Sequence, residues 1–359
     1  MLRLPFLIAC LLATLLLPAC RQSTPDTPAV NPPTDLFEIA AGPAVPDGYP
    51  ATIYRGNFVL PSGDILPVPS GQLLTGSWGA SGTGMPGGLV PAPDSLELLW
   101  FSYADDKFYE GHFLLPQQRM QALLRTGFWD TRTQQHATYT QLTVCLLPTG
   151  GVALWLSGGN KVLVGRYQAT ETSFDFGLFN PGTTRTELVL EVRAQMPPEA
   201  QARVAASTVS AKPWDGYLTK YSWKLAFRHP VQLYDYGVDY FSAERTNYPD
   251  APDPRGADQD LNHTPFRKQL LSAEAKAVPR ELYLFVRGQY GRKRQLRIDP
   301  FDEAETLRAF QTLHAKYPQE PLTLYVDHDE RLTQATVALQ AGGEFIPLVK
   351  STVQFFDVK

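Results

Sequence analysis

The sequence predicts an α+β protein made of two related β-rich lobes, each a mostly antiparallel sheet crossed by one main helix. Short apolar runs alternate with polar residues and are separated by turns that contain Gly and Pro, which is typical of antiparallel strands. Two segments instead place apolar residues three and four apart, which indicates helices. One opens at Pro116, and the other opens at Asp299-Pro300, with Pro300 at the first helical position and the acid Asp302 at the third. The order strand, hairpin, helix, hairpin occurs in residues 96–156 and again in residues 281–349. This recurrence predicts an internal duplication.

Length and composition also favour two lobes. A chain of 359 residues with 43% hydrophobic content can bury one large core or two ordinary ones. We predict a signal peptide at 1–19, a Pro-rich tether at 20–48, a first lobe at 49–212 and a second, divergent lobe at 213–359. The formal net charge is −4, and no basic stripe occurs in the sequence. Nucleic acid is therefore not an expected partner.

The amino terminus carries a targeting signal. One positive charge at Arg3 precedes an apolar run over residues 4–17, and Leu17-Pro18-Ala19-Cys20 ends that run. The run is too short to span a bilayer. A small residue directly before Cys resembles a bacterial lipobox, which implies that Cys20 becomes the acylated first residue of the mature chain. The alternative is an ordinary secretory signal cleaved after Ala19.

Acylation of Cys20 would fix where the protein lies. Each buried methylene contributes about 0.8 kcal/mol, so several acyl chains, such as palmitate, would hold the protein on the lipid bilayer. Residues 21–48 contain repeated prolines that favour an extended tether. Arg21 stands where an Asp retains some lipoproteins at the inner membrane, so we expect the outer membrane of a bacterial cell envelope, facing the periplasm. Cys145 is then left without a disulfide partner, and we interpret it as a core residue.

The first lobe is the most clearly patterned part of the sequence. An apolar strand at 96–103 leads through Asp105-Asp106-Lys107 to a returning strand at 108–115, and Pro116 then opens a helix. Two further strands flank the turn at 148–151. A Gly-rich loop at 72–88 surrounds Trp78. It has neither the Gly-Lys-Ser/Thr ending of a phosphate-binding loop nor the final Gly of a nucleophile elbow, so it predicts a flexible loop.

Three segments together resemble the DUF2931 family of proteobacterial lipoproteins, a domain family of unknown function. They are Gly76-Ser77-Trp78-Gly79, the strand and turn at 96–109, and the Pro-x-Gly-Gly turn with its following strand at 147–156. The resemblance covers mainly residues 49–172, with weaker agreement at 221–223. It implies a lipoprotein and adds no catalytic residue. Small proteobacterial lipoproteins of this kind are often immunity partners of secreted antibacterial effectors, which implies a protein partner in the envelope.

The second lobe repeats the pattern after a short connection. We predict a strand at 187–192, a short helix at 199–206 and a strand at 221–227. The aromatic residues Tyr234, Tyr236 and Tyr240 form a dense patch that fits either core packing or a binding surface. Acidic residues between 250 and 260 lack the calcium-loop pattern and predict an exposed loop. The basic residues between 287 and 297 fit a solvated sheet edge, or a surface for an acidic partner or lipid headgroups.

No catalytic, metal or cofactor site is predicted. The six histidines are scattered, and none shares zinc-site spacing with a carboxylate. Asp105 and Asp106 are adjacent turn residues, which favours solvation over acid-base work. The residues that remain for recognition form a candidate binding surface, namely Trp78, Asp105, Asp106, Lys107, Tyr234, Tyr236 and Tyr240.

Two functions of different classes follow. The first is a non-enzymatic, membrane-tethered binding protein of the envelope, indicated by the anchor, the tether and the aromatic loops. The second is an envelope hydrolase whose site is assembled from distant residues such as Asp105, His112 and Ser157. A structural envelope factor is a third option.

Overall fold

The computed structural model describes residues 35–358 except 83, 131, 132, 134, 249–268, 289 and 290. The predictions for the signal peptide, for Cys20, for most of the tether and for the acidic loop at 250–260 lie outside these residues. None of the described helices is long and apolar enough to cross a membrane.

The first half of the described chain is mostly β-structure with four helices near its middle and end. Its strands are β1 Phe37–Ala44, β2 Ala51–Val59, β3 Ile65–Pro67, β4 Leu73–Leu74, β5 Met85–Val90, β6 Ser95–Ser102, β7 Lys107–Leu114, β8 Phe128–Asp130, β9 Gln135–Ala137, β10 Gln141–Leu146, β11 Gly151–Ser157, β12 Lys161–Gln168 and β13 Thr170–Thr172. Its helices are α1 Gln117–Thr126, α2 Phe176–Phe179, α3 Arg185–Ala194 and α4 Pro198–Ala205.

The second half is also mostly β-structure. It begins with helix α5 Lys212–Tyr217 and contains one longer helix, α6 Glu303–Lys316. Its strands are β14 Tyr221–Phe227, β15 Gln232–Tyr240, β16 Arg245–Tyr248, β17 Glu274–Lys276, β18 Pro279–Arg287, β19 Lys293–Ile298, β20 Leu322–His328, β21 Ala335–Ala341, β22 Glu344–Pro347 and β23 Val353–Asp357.

Two sheets enclose the core of the first half. Strands β5-β1-β10-β11-β12 form one sheet and β3-β2-β6-β7-β13 form the other. Apolar side chains on alternate positions of both sheets point inward, because successive residues of a strand face opposite sides. The core contains Ile53, Leu98, Trp100, Leu142, Val144 and Leu154, and α1 adds Met120 and Leu124. The helix after Pro116 therefore helps to close the core, as its apolar spacing predicts.

The second half also has a buried core with strands from two sheets. Strands β17-β14-β20-β21-β22 form one sheet and β16-β15-β18-β19-β23 belong to the other. Helix α6 begins after Asp302, whose carboxylate accepts a hydrogen bond from the Glu305 amide at 2.8 Å. Its buried face supplies Phe310 and Leu313 to a core that includes Trp223, Leu284 and Leu324. Asp302, rather than the preceding Pro300, begins the helix.

The strand pairings follow the same order in both halves. In the first half, β1 pairs parallel with β10, the first strand of the β10–β11 hairpin. In the second half, β14 pairs parallel with β20, the first strand of the β20–β21 hairpin. The small β8–β9 hairpin, which lies between α1 and β10, has no described counterpart between α6 and β20.

A hairpin precedes each main helix, β6–β7 before α1 and β18–β19 before α6. The first strand of that hairpin pairs antiparallel with an earlier strand, β6 with β2 and β18 with β15. Both earlier strands, β2 and β15, shift register at a tyrosine, Tyr54 and Tyr234. The α+β class with mostly antiparallel sheets is confirmed.

A single register position joins the halves into one ten-stranded sheet of the described chain. Lys161 at the start of β12 pairs with Arg245 at the start of β16. The sheet therefore runs from the first half into the second without a break. We call the region around this pair the seam.

Two sequence predictions are wrong at the level of elements. The predicted tether ends too late, because Phe37–Ala44 is strand β1, in which Ile39 and Ala41 are fully buried against β10. The predicted strand at 187–192 is part of helix α3. Thr184 and Glu187 form a capping box there, and Val189 and Val192 bury one helical face.

Candidate binding cleft at the seam

The structure divides the predicted binding surface among three places. Trp78 and Tyr240 line one cavity at the seam, and Tyr236 lines an adjoining cavity with Tyr240. Asp105, Asp106 and Lys107 lie at the tip of the β6–β7 hairpin, in the first half. Tyr234 lies elsewhere on β15, with its ring 6.2 Å from that of Phe285. Only the seam group forms a concave site.

The hairpin tip is a structural turn. The Asp105 carboxylate accepts hydrogen bonds from the Ser102 hydroxyl and the Thr149 amide, both at 2.8 Å, and so ties one sheet to the other. Asp106 pairs with Arg185 at 2.6 Å, and Lys107 pairs with Glu171 at 2.6 Å. Each charge of the tip already has a partner within the first half.

The distant residues of the hydrolase hypothesis are not brought together. Asp105 lies at the tip of the β6–β7 hairpin, whereas His112 stands opposite Glu97 near the other end. Five residues of strand separate Lys107 from His112, about 17 Å at the usual rise of a strand. The Ser157 hydroxyl lies on the other sheet, 3.0 Å from that of Thr143.

Two tryptophan side chains connect the halves at the seam. The Trp78 indole donates a hydrogen bond to the Phe241 carbonyl at 2.8 Å, and the Trp155 indole donates one to the Ser242 carbonyl at 3.1 Å. The two rings meet edge to face, with centroids 4.9 Å apart. The loop around Trp78 is therefore held against the β15–β16 turn.

Gly79 allows this close approach. Its φ of +66° is a left-handed conformation, and a Cβ atom there would lie 2.5 Å from the Ala243 Cβ and 3.1 Å from the Lys161 Nζ. Any side chain would collide with the turn of the second half. The Gly76-Ser77-Trp78-Gly79 segment thus makes the contact between the halves.

Lys161 lies at the centre of the seam. Its ammonium donates a hydrogen bond to the Gly79 carbonyl and lies 5.1 Å from the centroid of the Trp155 ring. Burial lowers the pKa of Lys161 to about 8, because a charged amine loses hydration there. Among the described residues, no carboxylate lies within 4 Å of this ammonium.

Two cavities meet at Lys161, and we call them together the seam cleft. Each has a volume of about 220 Å³, and both are lined by Lys161, Tyr240 and Glu244. The first cavity is also lined by Trp78, Asp239, Arg245 and Arg280. The other is also lined by Lys220, Tyr236, Thr246, Glu274 and Lys276. The cleft thus combines aromatic walls with an unequal set of charges.

The carboxylates that line the cleft already have partners, and that of Glu274 accepts a hydrogen bond from the Ser272 hydroxyl at 3.2 Å. The Asp239 carboxylate accepts two hydrogen bonds from Arg245, one from Nε and one from Nη2, the latter at 3.0 Å. Glu244 pairs with Lys220 at 3.2 Å and also accepts hydrogen bonds from the Ser242 hydroxyl and the Leu163 amide. Such engaged carboxylates are poorly placed to receive a cation.

The family of the chain follows from its first half. A model of the family described as "Protein of unknown function (DUF2931)" matches residues 26–211, which is more than half of the chain. The chain belongs to the DUF2931 family. Searches of curated proteins and of solved structures found no match. The DUF2931 region contains all three segments on which the sequence resemblance rests.

The DUF2931 region makes only one wall of the seam cleft. It supplies Trp78, Gly158 and Lys161, whereas Asp239, Tyr240, Glu244, Arg245 and Arg280 come from the second half. The cleft therefore requires a segment that the family match does not include.

The prediction that Cys145 is a core residue is confirmed. Its thiol is fully buried, and burial raises its pKa to about 12, so it is not a reactive thiolate at neutral pH. Across the part of the chain that the structure describes, no three His, Cys, Asp or Glu side chains are grouped as metal ligands.

Sequence reasoning missed the charged residues of the cleft. Lys161, Asp239, Arg245 and Arg280 are isolated in the sequence and follow no recognisable spacing. The one local signal was the aromatic patch that contains Tyr236 and Tyr240. Strand pairing between the two halves, which no local pattern reveals, brings these residues to Trp78.

Proposed function

We propose that this DUF2931 protein is a non-enzymatic binding protein of the bacterial envelope, tethered to the membrane through acylated Cys20, and that it binds its ligand in the seam cleft. One observation carries the binding role: two adjoining cavities meet at Lys161, a largely buried cation with no described carboxylate beside it. Ligand sites are usually concave, with a few convergent polar groups among apolar walls.

The membrane tether rests on the lipobox-like sequence at Leu17-Pro18-Ala19-Cys20. The intact mass of the purified protein should equal that of the chain from Cys20 plus its acyl groups, and the protein should be found in the outer-membrane fraction. Cys20→Ser should abolish both results. An unmodified Cys20 thiol in a membrane-free protein would overturn this part of the proposal.

A protein partner in the envelope is the class of ligand that the family resemblance favours, and an antibacterial effector is the specific candidate. Cells without the protein should lose viability beside effector-secreting siblings, and the wild-type gene should restore it. Lys161→Gln should restore it poorly if the cleft makes the contact. Equal survival with and without the protein would contradict the immunity role.

The repeated pairings support a finer account of the fold. We infer that the two halves are diverged copies of one unit, each with two sheets and one main helix, α1 or α6. The support is the shared order of pairings and the register shift at Tyr54 and at Tyr234. An experimental structure in which the two halves superpose strand for strand would test this inference.

A further inference from the structure

We propose that the seam cleft binds a small organic anion, whose carboxylate or phosphate group lies against the Lys161 ammonium and supplies the counter-charge that no described carboxylate provides within 4 Å of it. This proposal rests on the proposed binding function and names the chemical class of the ligand. Three observations carry it: the partners of Lys161, the balance of charges in the cleft, and the size and walls of its cavities.

The partners of Lys161 leave its charge uncompensated. The ammonium has one carbonyl, that of Gly79, and the face of the Trp155 ring. A carbonyl and a ring face stabilise a cation only in part, and a buried charge is costly unless an opposite charge pairs with it. An anionic group at hydrogen-bond distance would complete the site.

The other charged side chains of the cleft also favour an anionic ligand. The cavity beside Trp78 is lined by three cationic side chains, Lys161, Arg245 and Arg280, and by two carboxylates, Asp239 and Glu244. Both carboxylates are engaged by neighbouring donors, as described above. Arg280 pairs with Glu281 at 3.1 Å, outside the cavity lining. Over both cavities, five cationic side chains meet the carboxylates of Asp239, Glu244, Glu274 and Glu281, which leaves an excess of one positive charge. Lys161 is the cation with no described carboxylate within 4 Å, so an anion beside it is favoured over a cation.

Size and shape limit the ligand to a small molecule or a single protruding group. Pockets for drug-sized ligands usually measure about 300–1,000 Å³, whereas each cavity measures about 220 Å³. The rings of Trp78 and Tyr240 line one of these cavities. A compact acid with an apolar or aromatic body fits this combination. Carboxylate and phosphate share the relevant chemistry, so the experiment must separate them.

The alternative to anion binding is a purely structural role, in which Lys161 only stabilises the seam through its hydrogen bond to the Gly79 carbonyl. A glutamine can still donate a hydrogen bond to that carbonyl but carries no charge, whereas an arginine keeps the charge. Lys161→Gln and Lys161→Arg therefore separate the two roles. Lys107→Gln is the matched control, because Lys107 is exposed and paired with Glu171 away from the cleft.

Titration calorimetry on the full mature chain would use four probes: benzoate, phenylacetate, phenyl phosphate and inorganic phosphate. We expect at least one organic anion to bind with a Kd of about 1 mM or tighter. Because hydrogen bonds to charged groups are strong, Lys161→Gln should weaken that binding by about tenfold or more, and Lys161→Arg by much less. Lys107→Gln should bind as the wild type does. Thermal melting would establish that each variant is folded.

The pH dependence gives an independent readout. The groups that face Lys161 are Cys145, Asp239, Arg245 and Arg280. Burial lowers the pKa of the Lys161 amine to about 8, and it does the same for Lys276, which lines the other cavity of the cleft. A bound anion stabilises the ammonium, so binding near pH 8 should take up protons, and affinity should fall as pH rises above 8. Calorimetry in buffers of different ionisation enthalpy measures this uptake. Lys161→Gln should remove most of this uptake, and Lys276→Gln, which leaves Lys161 in place, should preserve it.

The outcomes separate this proposal from the proposed function. Absence of binding by all four probes, or binding that Lys161→Gln leaves unchanged, overturns the anion proposal. If a protein partner still contacts the cleft in that case, the binding function stands without a small anion. Binding of inorganic phosphate alone, without any organic anion, would also overturn the proposal as stated.

Discussion

Gly79 shows at the scale of one residue how the halves are held together. It combines a left-handed backbone with a contact that leaves no room for a Cβ atom against Ala243. We expect Gly79→Ala to lower the free energy of unfolding by about 1–3 kcal/mol, because strain and overlap add. Chemical denaturation measures this effect.

Two other glycines provide matched controls for Gly79→Ala. Gly71 has a φ of +77° but nothing near its would-be Cβ, so Gly71→Ala reports the backbone strain alone. Gly82 has neither feature, and Gly82→Ala should be nearly neutral. If all three substitutions cost the same, the contact with the second half would not be what requires a glycine.

Asp235 provides a second prediction at this scale. Burial raises the pKa of its carboxyl to about 7 from 3.8, so the folded state binds a proton that the unfolded state releases between these values. The stability from this group is present below pH 4 and is lost as pH rises through 7. Asp235→Asn should therefore match the wild type near pH 4 and exceed its stability at pH 8. Urea unfolding at both pH values measures this, and a pH-independent difference would contradict it.

The β6–β7 hairpin tests the interpretation of the acidic turn at the scale of an element. Asp105→Ala removes the acceptor for the Thr149 amide and the Ser102 hydroxyl, so it should lower stability by about 1–3 kcal/mol. Asp106→Ala loses only an exposed ion pair with Arg185 and should cost about 1 kcal/mol or less. Equal costs measured by denaturation would show that Asp105 does not tie the sheets together.

Elements were predictable where local patterns and tertiary packing agree. The strand at 96–102 has a buried apolar pattern, and the two main helices have apolar spacing of three and four, so each of these elements is found. The second helix begins at Glu303 rather than at the predicted Pro300, because the Asp302 side chain caps it. The segment at 187–192 is short and apolar, a pattern that fits a strand or a helix. The capping box that Thr184 and Glu187 form favours the helix. Strand β1 is rich in Ala and contains one Gly and one Pro, and its pairing with β10 makes it a strand despite that composition.

At the scale of the whole molecule, the seam joins the two halves of the described chain. The first half, which belongs to DUF2931, and the second half share one sheet through Lys161 and Arg245, and two indoles reach the same turn of the second half. The Trp78 and Phe241 partners of one such hydrogen bond are 163 positions apart in the sequence. Local sequence patterns cannot reveal contacts of this range. The fold class was therefore accessible from the sequence, and the cleft was not.

The central claim is that the seam cleft is where the protein binds its ligand or partner. A photo-reactive amino acid placed in living cells at Ala80 or Thr246, which line the cleft, would test it most directly. Leu178, 65% exposed on α2, and Ser62 in an exposed turn are control positions. We predict a specific cross-linked product from both cleft positions and none from the controls. Cross-linking only from the control positions, or from none of the four, would contradict the account.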